Sequence, residues 1–283
     1  MPGRVAIVTD STAYLPTGLA AELGVTVVPL YVVLNGESGI EGVDVTPSDL
    51  ARALSDRRAS VTTSRPTPED FTEAYRKAWA DGADGVVSVH LSSELSGTWD
   101  AARLAAAECG SDAVRVVDSR SAAMGLGFAV LSAAEAAGAG SSLDEVEAIA
   151  ERTVDRTTTL FYVDTLEHLR RGGRIGAAQA WLGTALAVKP LLHVVDGRIV
   201  PLEKVRTAGK AVARLEELAL KAAGESTVDI AVQHLAAAER AAGLADRLRA
   251  RVPHLHHLYA SEVGAVVGAH VGPGLLGVVV VRR

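Results

Sequence analysis

The residues of this 283-residue chain best suited to chemistry are hydroxyls, arginines and one glycine-flanked histidine. Thr9-Asp10-Ser11-Thr12 follows the first apolar run. At the carboxyl end of a parallel strand these side chains either meet a ligand or cap the next helix. Thr62-Thr63-Ser64-Arg65-Pro66-Thr67-Pro68 sets hydroxyls and an arginine ahead of a helix; Thr67 is a natural N-cap with Asp70 at N3, which leaves Thr63 and Ser64 able to donate to an oxyanion. In Leu91-Ser92-Ser93-Glu94-Leu95-Ser96-Gly97-Thr98, Ser96 falls at or beside a helix N-cap, and Gly97 lets a ligand approach the backbone. Free N–H groups there make an anion site without a lysine, and an ordinary cap is the plainer reading of the same residues. Arg170-Arg171-Gly172-Gly173-Arg174-Ile175 is a basic glycine loop, suited to a phosphate, an acidic partner or plain solvent, and Lys204 and Arg206 extend the patch. His270-Val271-Gly272-Pro273-Gly274 holds an imidazole beside a forced turn. Imidazole can donate to a carboxylate, although a histidine among apolar residues also serves as a satisfied core group.

Strands and helices alternate around these clusters. Strands are expected at Val5–Val8, Val25–Leu34, Gly85–Val89 and Val114–Val117. Helices are expected at Pro16–Leu23, Pro47–Leu54, Pro68–Ala80, Gly97–Glu108, Ala122–Ala137 and Leu143–Asp155. That order predicts an α/β domain over residues 1–155, with a mostly parallel sheet and helices on both faces. Past a boundary near Thr153–Thr157 the texture changes. A strand at Thr157–Val163 leads into the polar loop Arg170–Gly176 and a helix near Ala177–Leu186. Strands Leu191–Val195 and Ile199–Lys204 flank Asp196-Gly197, a tight-hairpin signal. Helices at Lys210–Ala223, Ala236–Ala250 and Ser261–Gly268 then alternate with strands at Val228–Gln233, His254–Tyr259 and Leu275–Val281. A hairpin among βα units predicts a mixed sheet, so residues 156–283 form a second, C-terminal α/β domain.

Composition narrows the function classes. Hydrophobic residues are 48% and charged residues 22%, which excludes intrinsic disorder. With 28 Lys+Arg against 34 Asp+Glu, the net charge of −6 gives no global attraction for nucleic acid or anionic membrane. A single cysteine excludes a disulfide framework and a cysteine zinc site within one chain. The apolar run Val5–Val8 is too short for a signal-peptide core, and the most apolar stretch, Val263 to Val281, is broken by His270, Pro273 and several glycines. The expectation is a cytoplasmic protein without a membrane anchor. There is no G-x-G-x-x-G after a strand, no phosphate loop, no H-E-x-x-H and no G-x-S-x-G. His254, His256 and His257 crowd together, but no carboxylate cluster accompanies them in sequence, so neither a metal nor a cofactor is expected.

Taken together, Asp10-Ser11-Thr12, Thr63-Ser64-Arg65-Pro66, Ser92 to Thr98, Gly172-Gly173-Arg174-Ile175 and His270 to Gly274 resemble the DegV family, in that family's order and over nearly the whole chain. Arg65 departs from the pattern, standing where the family usually has Gln. The resemblance implies a two-domain α/β protein with one long-chain fatty acid in a tunnel between the domains. It implies that Thr63, Ser96 and His270 bind the carboxylate, with Ser93 and Gly97 as neighbours. It further implies an ATP-dependent fatty-acid kinase subunit as partner, docked on Arg174 and Arg206 with Arg170, Arg171 and Lys204 nearby, and an acyl phosphate as product. In that role the chain carries substrate and is not itself the kinase, and a monomer is the simplest state.

Physical argument agrees with that carrier role. A buried carboxylate needs partners, and hydroxyls, helix N–H groups and an imidazole supply them without a lysine ion pair that would weaken it as a nucleophile. A tail of about 16 carbons, at roughly 0.8 kcal/mol per buried CH₂, contributes about 10 kcal/mol of transfer free energy. An aromatic content of 4% fits an aliphatic lining. Two other readings compete. One is an enzyme acting on a small carboxylated or phosphorylated metabolite through Ser96 as nucleophile and His270 as base, for which no third, orienting residue can be named. The other is a ligand-free regulatory module whose working surface is the loop Arg170–Arg174.

Overall fold

Short β-branched runs set between amphipathic helices build a parallel sheet in the first half of the chain and a mixed sheet in the second. The structure is a computed structural model describing residues 3–56, 59–181 and 188–283. In chain order the first elements are β1 (Val5–Asp10), α1 (Leu19–Glu22), β2 (Thr26–Val28), β3 (Tyr31–Leu34), β4 (Glu37–Ile40), α2 (Pro47–Ser55) and β5 (Val61–Ser64). Then come α3 (Pro68–Ala80), β6 (Gly85–His90), α4 (Thr98–Glu108), β7 (Val114–Asp118), α5 (Met124–Gly138) and α6 (Leu143–Asp155). The remainder is β8 (Thr157–Tyr162), α7 (Glu167–Arg171), β9 (Lys189–Val195), β10 (Arg198–Val205), α8 (Ala208–Ala223), β11 (Val228–His234), α9 (Ala238–Arg251), β12 (Leu255–Glu262), α10 (Ala265–Val271) and β13 (Leu276–Arg282).

The chain divides into two compact units, the first made of residues up to Tyr31 together with Ser64–Asp155. Its sheet has the order β2-β1-β6-β7, with every pair parallel. Alternation along β6 sends successive side chains to opposite faces. Val86 packs into a core with Phe71 and Tyr75 of α3 and Ala101 and Ala102 of α4, while neighbouring Gly85 lies against Leu143 of α6. Helices therefore cover both faces. The cap read at Thr67 is present as a full capping box with Asp70, and Thr46 and Asp49 form another at α2.

The second unit comprises residues 32–63 and 156–283. Its six-stranded sheet has the order β10-β9-β8-β13-β11-β12, antiparallel except for the pair β11–β12. Leu215 and Ala219 of α8 and Leu244 and Leu248 of α9 close one face over Leu160, Val228, Ile230 and Val278. The turn at Asp196 (φ 47°) and Gly197 (φ 79°) has the positive φ angles that a tight hairpin requires.

Four expectations change. Residues 32–63 fall with the second unit, so the division is not the contiguous 1–155 and 156–283. Val25–Leu34 is two strands in different sheets, because Pro29 has no N–H to continue one ladder; β2 pairs with β1, and β3 joins the sheet β4-β3-β5. The polar segment before Gly172 is the short helix α7, and Gly176–Trp181 is a 3₁₀ segment, while residues 182–187 of the helix expected near Ala177–Leu186 lie outside the described residues. Finally, β12 continues to Glu262, so the next helix is Ala265–Val271 and His270 sits in its last turn. Among the described residues no helix is long and apolar enough to cross a membrane.

Candidate functional site

Helix α10 has a glycine, Gly264, at its N-cap and no capping side chain from its own segment. The carboxylate of buried Glu41 takes that part, accepting the Val266 N–H at 2.7 Å. Gly268 allows α10 to lie against Leu50 of α2, since a Cβ there would stand 2.5 Å from that side chain. At its other end α10 meets the turn after α7. A Cβ on Gly172 would fall 2.0 Å from His270 Nδ1, and one on Gly272 (φ +75°) would fall 2.2 Å from the His168 ring. The two glycine motifs thus interlock, each leaving room for a histidine beside the other.

This packing aims His270 at β5, where its Nε2 lies 2.9 Å from Thr63 Oγ1. His270 Nδ1 is buried and has no hydrogen-bond partner. Burial, reinforced by the positive charge of Arg174, pushes the imidazole down to about 4, so it is neutral at pH 7. His168 is also pushed down, by burial and then by Arg171. Thr62, Thr63, His168, Arg171, Arg174 and His270 line a cavity of about 220 Å³ within the second unit. That is below the roughly 300–1,000 Å³ of a pocket for a whole drug-sized ligand and suits an anionic headgroup. A neutral imidazole, a hydroxyl and nearby guanidinium charge can hold a carboxylate while leaving its oxygen reactive.

Ser93, Ser96 and Gly97 belong to the first unit. Gly97 is the N-cap of α4 and makes no side-chain cap; Ser96 Oγ pairs with Thr98 Oγ1 at 2.8 Å and accepts the Thr98 N–H at 3.3 Å. Arg65 Nη1 donates to the Gly97 carbonyl at 3.1 Å and fills the space where a Cβ would be. Ser93 donates its hydroxyl proton to Asp118 at 2.6 Å, so it anchors its own loop. Asp10 is fully buried and ties two loops together, accepting from Thr12 N and Leu91 N at 3.0 Å each and pairing with His90 Nδ1 at 3.0 Å. His90 Nε2 lies 2.6 Å from Ser88 Oγ. The order Ser88–His90–Asp10 is that of a nucleophile triad, but all three have zero exposure, so no substrate reaches them. They form a polar spine that fixes the Ser92–Ser96 loop.

The basic residues are partly engaged. Arg170 and Arg171 both bind Glu167, and these hydrogen bonds, Arg170's first, hold that carboxyl down at about 2. Arg174 donates to the Gly172 carbonyl at 2.6 Å. Lys204 lies 4.7 Å over the Trp181 ring, at the end of the segment that follows Arg174, and Arg206 is exposed. Within the second unit, then, Thr63, His270, Arg171 and Arg174 converge on one cavity. Sequence reasoning missed His168, Glu41 and His90. Their partners are remote in the chain, and His168 stands on α7, a helix that begins before the Arg170–Gly176 loop of the sequence reading.

The DegV family model matches residues 4–283. A DegV domain-containing protein of Streptomyces coelicolor is 61% identical over 283 residues, covering 100% of both chains. A structure described as fatty acid binding of a DegV family protein from Thermus thermophilus superposes with a TM-score of 0.93 at 38% identity, covering 99% of this chain and 100% of that one. DegV, described as a fatty acid binding protein from Bacillus subtilis, superposes with a TM-score of 0.90 at 35% identity, over 99% and 100% of the two chains.

Proposed function

The chain belongs to the DegV family, and from that premise we propose that it binds one long-chain fatty acid and presents the carboxylate to an ATP-dependent kinase partner for phosphorylation to an acyl phosphate. The observation that carries this reading is the Thr63–His270 pair, a hydroxyl and a neutral imidazole 2.9 Å apart beside a cavity of headgroup size. The fatty acids bound by the Thermus and Bacillus proteins supply the ligand class. Ser96 and the backbone at Gly97 are proposed as further carboxylate partners. Ser93 is given the lesser role of holding their loop, since its proton goes to Asp118. The carrier is proposed as cytoplasmic and monomeric, and its lack of kinase activity of its own fits a sequence without a phosphate loop.

Native mass spectrometry of the purified protein tests the ligand class. A bound mass matching a C14–C18 fatty acid in one-to-one ratio is expected, and a protein that stays apo after incubation with several fatty acids removes the reading. Thr63→Val and His270→Ala should each weaken binding by about 10- to 150-fold, one hydrogen bond to a charged group being worth about 1.5–3 kcal/mol. Arg174 and Arg206 are proposed as the kinase contacts, with Arg170, Arg171 and Lys204 beside them. The double variant Arg174→Ala/Arg206→Ala should lower phosphorylation of bound acid while binding is retained; unchanged turnover would put the partner elsewhere. Incubation with ATP, Mg²⁺ and oleate, without a partner, should yield no acyl phosphate.

A further inference from the structure

The edge strand β12 carries a cluster that the fatty-acid reading does not use. β12 runs parallel to β11, and the pairing slips between Val228, opposite Leu255, and Asp229, opposite His257. His256 is the extra residue of this bulge. In a regular strand His256 and His257 would point to opposite faces. Here both imidazoles turn toward Asp229, with ring centroids 3.9 Å apart. His256 Nδ1 lies 2.9 Å from Asp229 Oδ1 and His257 Nδ1 3.3 Å from the same oxygen. One ligand atom from each of the three residues can be chosen so that all lie within 4.8 Å of one another. Both histidines are exposed, and the carboxylate is half-buried beneath them.

The same donors already attract a cation of the chain itself. Arg283 Nη1 stands 3.5 Å from Asp229 Oδ2 and lies against both ring nitrogens of His256. A guanidinium held against an imidazole and a carboxylate is a stand-in for a positive ion of smaller radius. Sequence inspection alone finds no such site, because the carboxylate comes from 27 positions earlier, on the neighbouring strand.

We propose that Asp229, His256 and His257 form a binding site for a divalent transition metal of the zinc class on the outer edge of the second unit's sheet, with Arg283 as its internal competitor. Imidazole with carboxylate suits zinc and its first-row neighbours rather than calcium or magnesium, which want all-oxygen shells. Three protein donors leave at least one coordination position open to water or an external ligand. The proposal does not rest on the fatty-acid reading, since none of these residues belongs to the Thr63–His270 cavity.

Isothermal titration of the full, metal-stripped chain with zinc chloride tests it. One saturable equivalent is expected. His256→Ala and His257→Ala should each weaken it by at least about tenfold, since losing even a residue that only orients a ligand costs about 10–100-fold. Both positions are exposed, so these variants should keep the parent's thermal transition without metal. Arg283→Ala should bind more tightly than the parent, an outcome that generic surface adsorption would not produce. Absence of a saturable isotherm, or an isotherm unchanged by both histidine variants, overturns the proposal.

Discussion

His270 combines two roles that pull against each other. It is neutral because it is buried, yet a site for an anion gains from positive charge. In the proposed site the work is divided: the imidazole would supply directed hydrogen bonding and Arg174 the field. The folded-state value of about 4 lies below the ordinary 6.5, so the folded protein disfavours the proton that the unfolded chain accepts. The associated stability is complete above pH 6.5 and is lost as the pH falls from 6.5 toward 4, levelling off below. At 1.36 kcal/mol per pH unit it amounts to at most about 3 kcal/mol. Urea unfolding at pH 7.5 and 4.5 should show the parent losing more stability than His270→Asn over that interval; equal losses would mean that His270 titrates normally. Gly172→Ala tests the interlock, because its methyl group would stand 2.0 Å from the imidazole. Overpacking of this kind costs about 1–3 kcal/mol. Fatty-acid binding should fall with it, whereas Gly173→Ala, where a Cβ meets nothing within 4 Å, disturbs only a left-handed φ of +71°.

At the scale of elements, α10 depends on a cap brought from far along the chain. Glu41→Ala removes the acceptor of the Val266 N–H and should cost about 1–2 kcal/mol, with faster amide exchange confined first to α10. Exchange unchanged in α10 would mean that the cap is dispensable. Local signals were the readable ones. Thr67 with Asp70 and Asp196 with Gly197 act within four residues, and both devices appear as their chemistry dictates. Asn35-Gly36 is a signal of the same kind, with φ of 53° and 91°, and it joins β3 to β4. The helix expected at Ser261–Gly268 lies later, at Ala265–Val271, because β12 runs on to Glu262. Gly264 starts the helix, and Gly268 is demanded by Leu50. Thr63, His270, Arg171 and Arg174, which line one cavity, are legible in the sequence as residue types. The supporting residues are not, because Glu41, His168 and the Asp10–His90 pair act across long separations that leave no local pattern.

For the molecule as a whole, the important fact is that residues 32–63 belong with residues 156–283. A fragment starting at residue 156 lacks Thr63, the Leu50 surface against Gly268 and the Glu41 cap. Expressed alone, it should have lower cooperativity than the full chain and bind a dye for exposed apolar surface. A sharp unfolding transition for that fragment would mean that the inserted segment is an appendage rather than part of the core.

The inserted segment also bears on synthesis. Leu50 is fully buried in the finished protein, and α10, against which α2 packs, ends at Val271. From Thr63 to Val271 a ribosome must add another 208 residues, which at roughly 5–20 residues per second takes about 10–40 s. Once α2 has cleared the exit tunnel, it waits through the rest of that interval without α10, the helix it packs against. A nascent chain in this state displays an apolar helix face and unpaired strand edges, and nascent-chain pulldowns should find chaperone occupancy beginning as α2 emerges and ending only once α10 has left the tunnel.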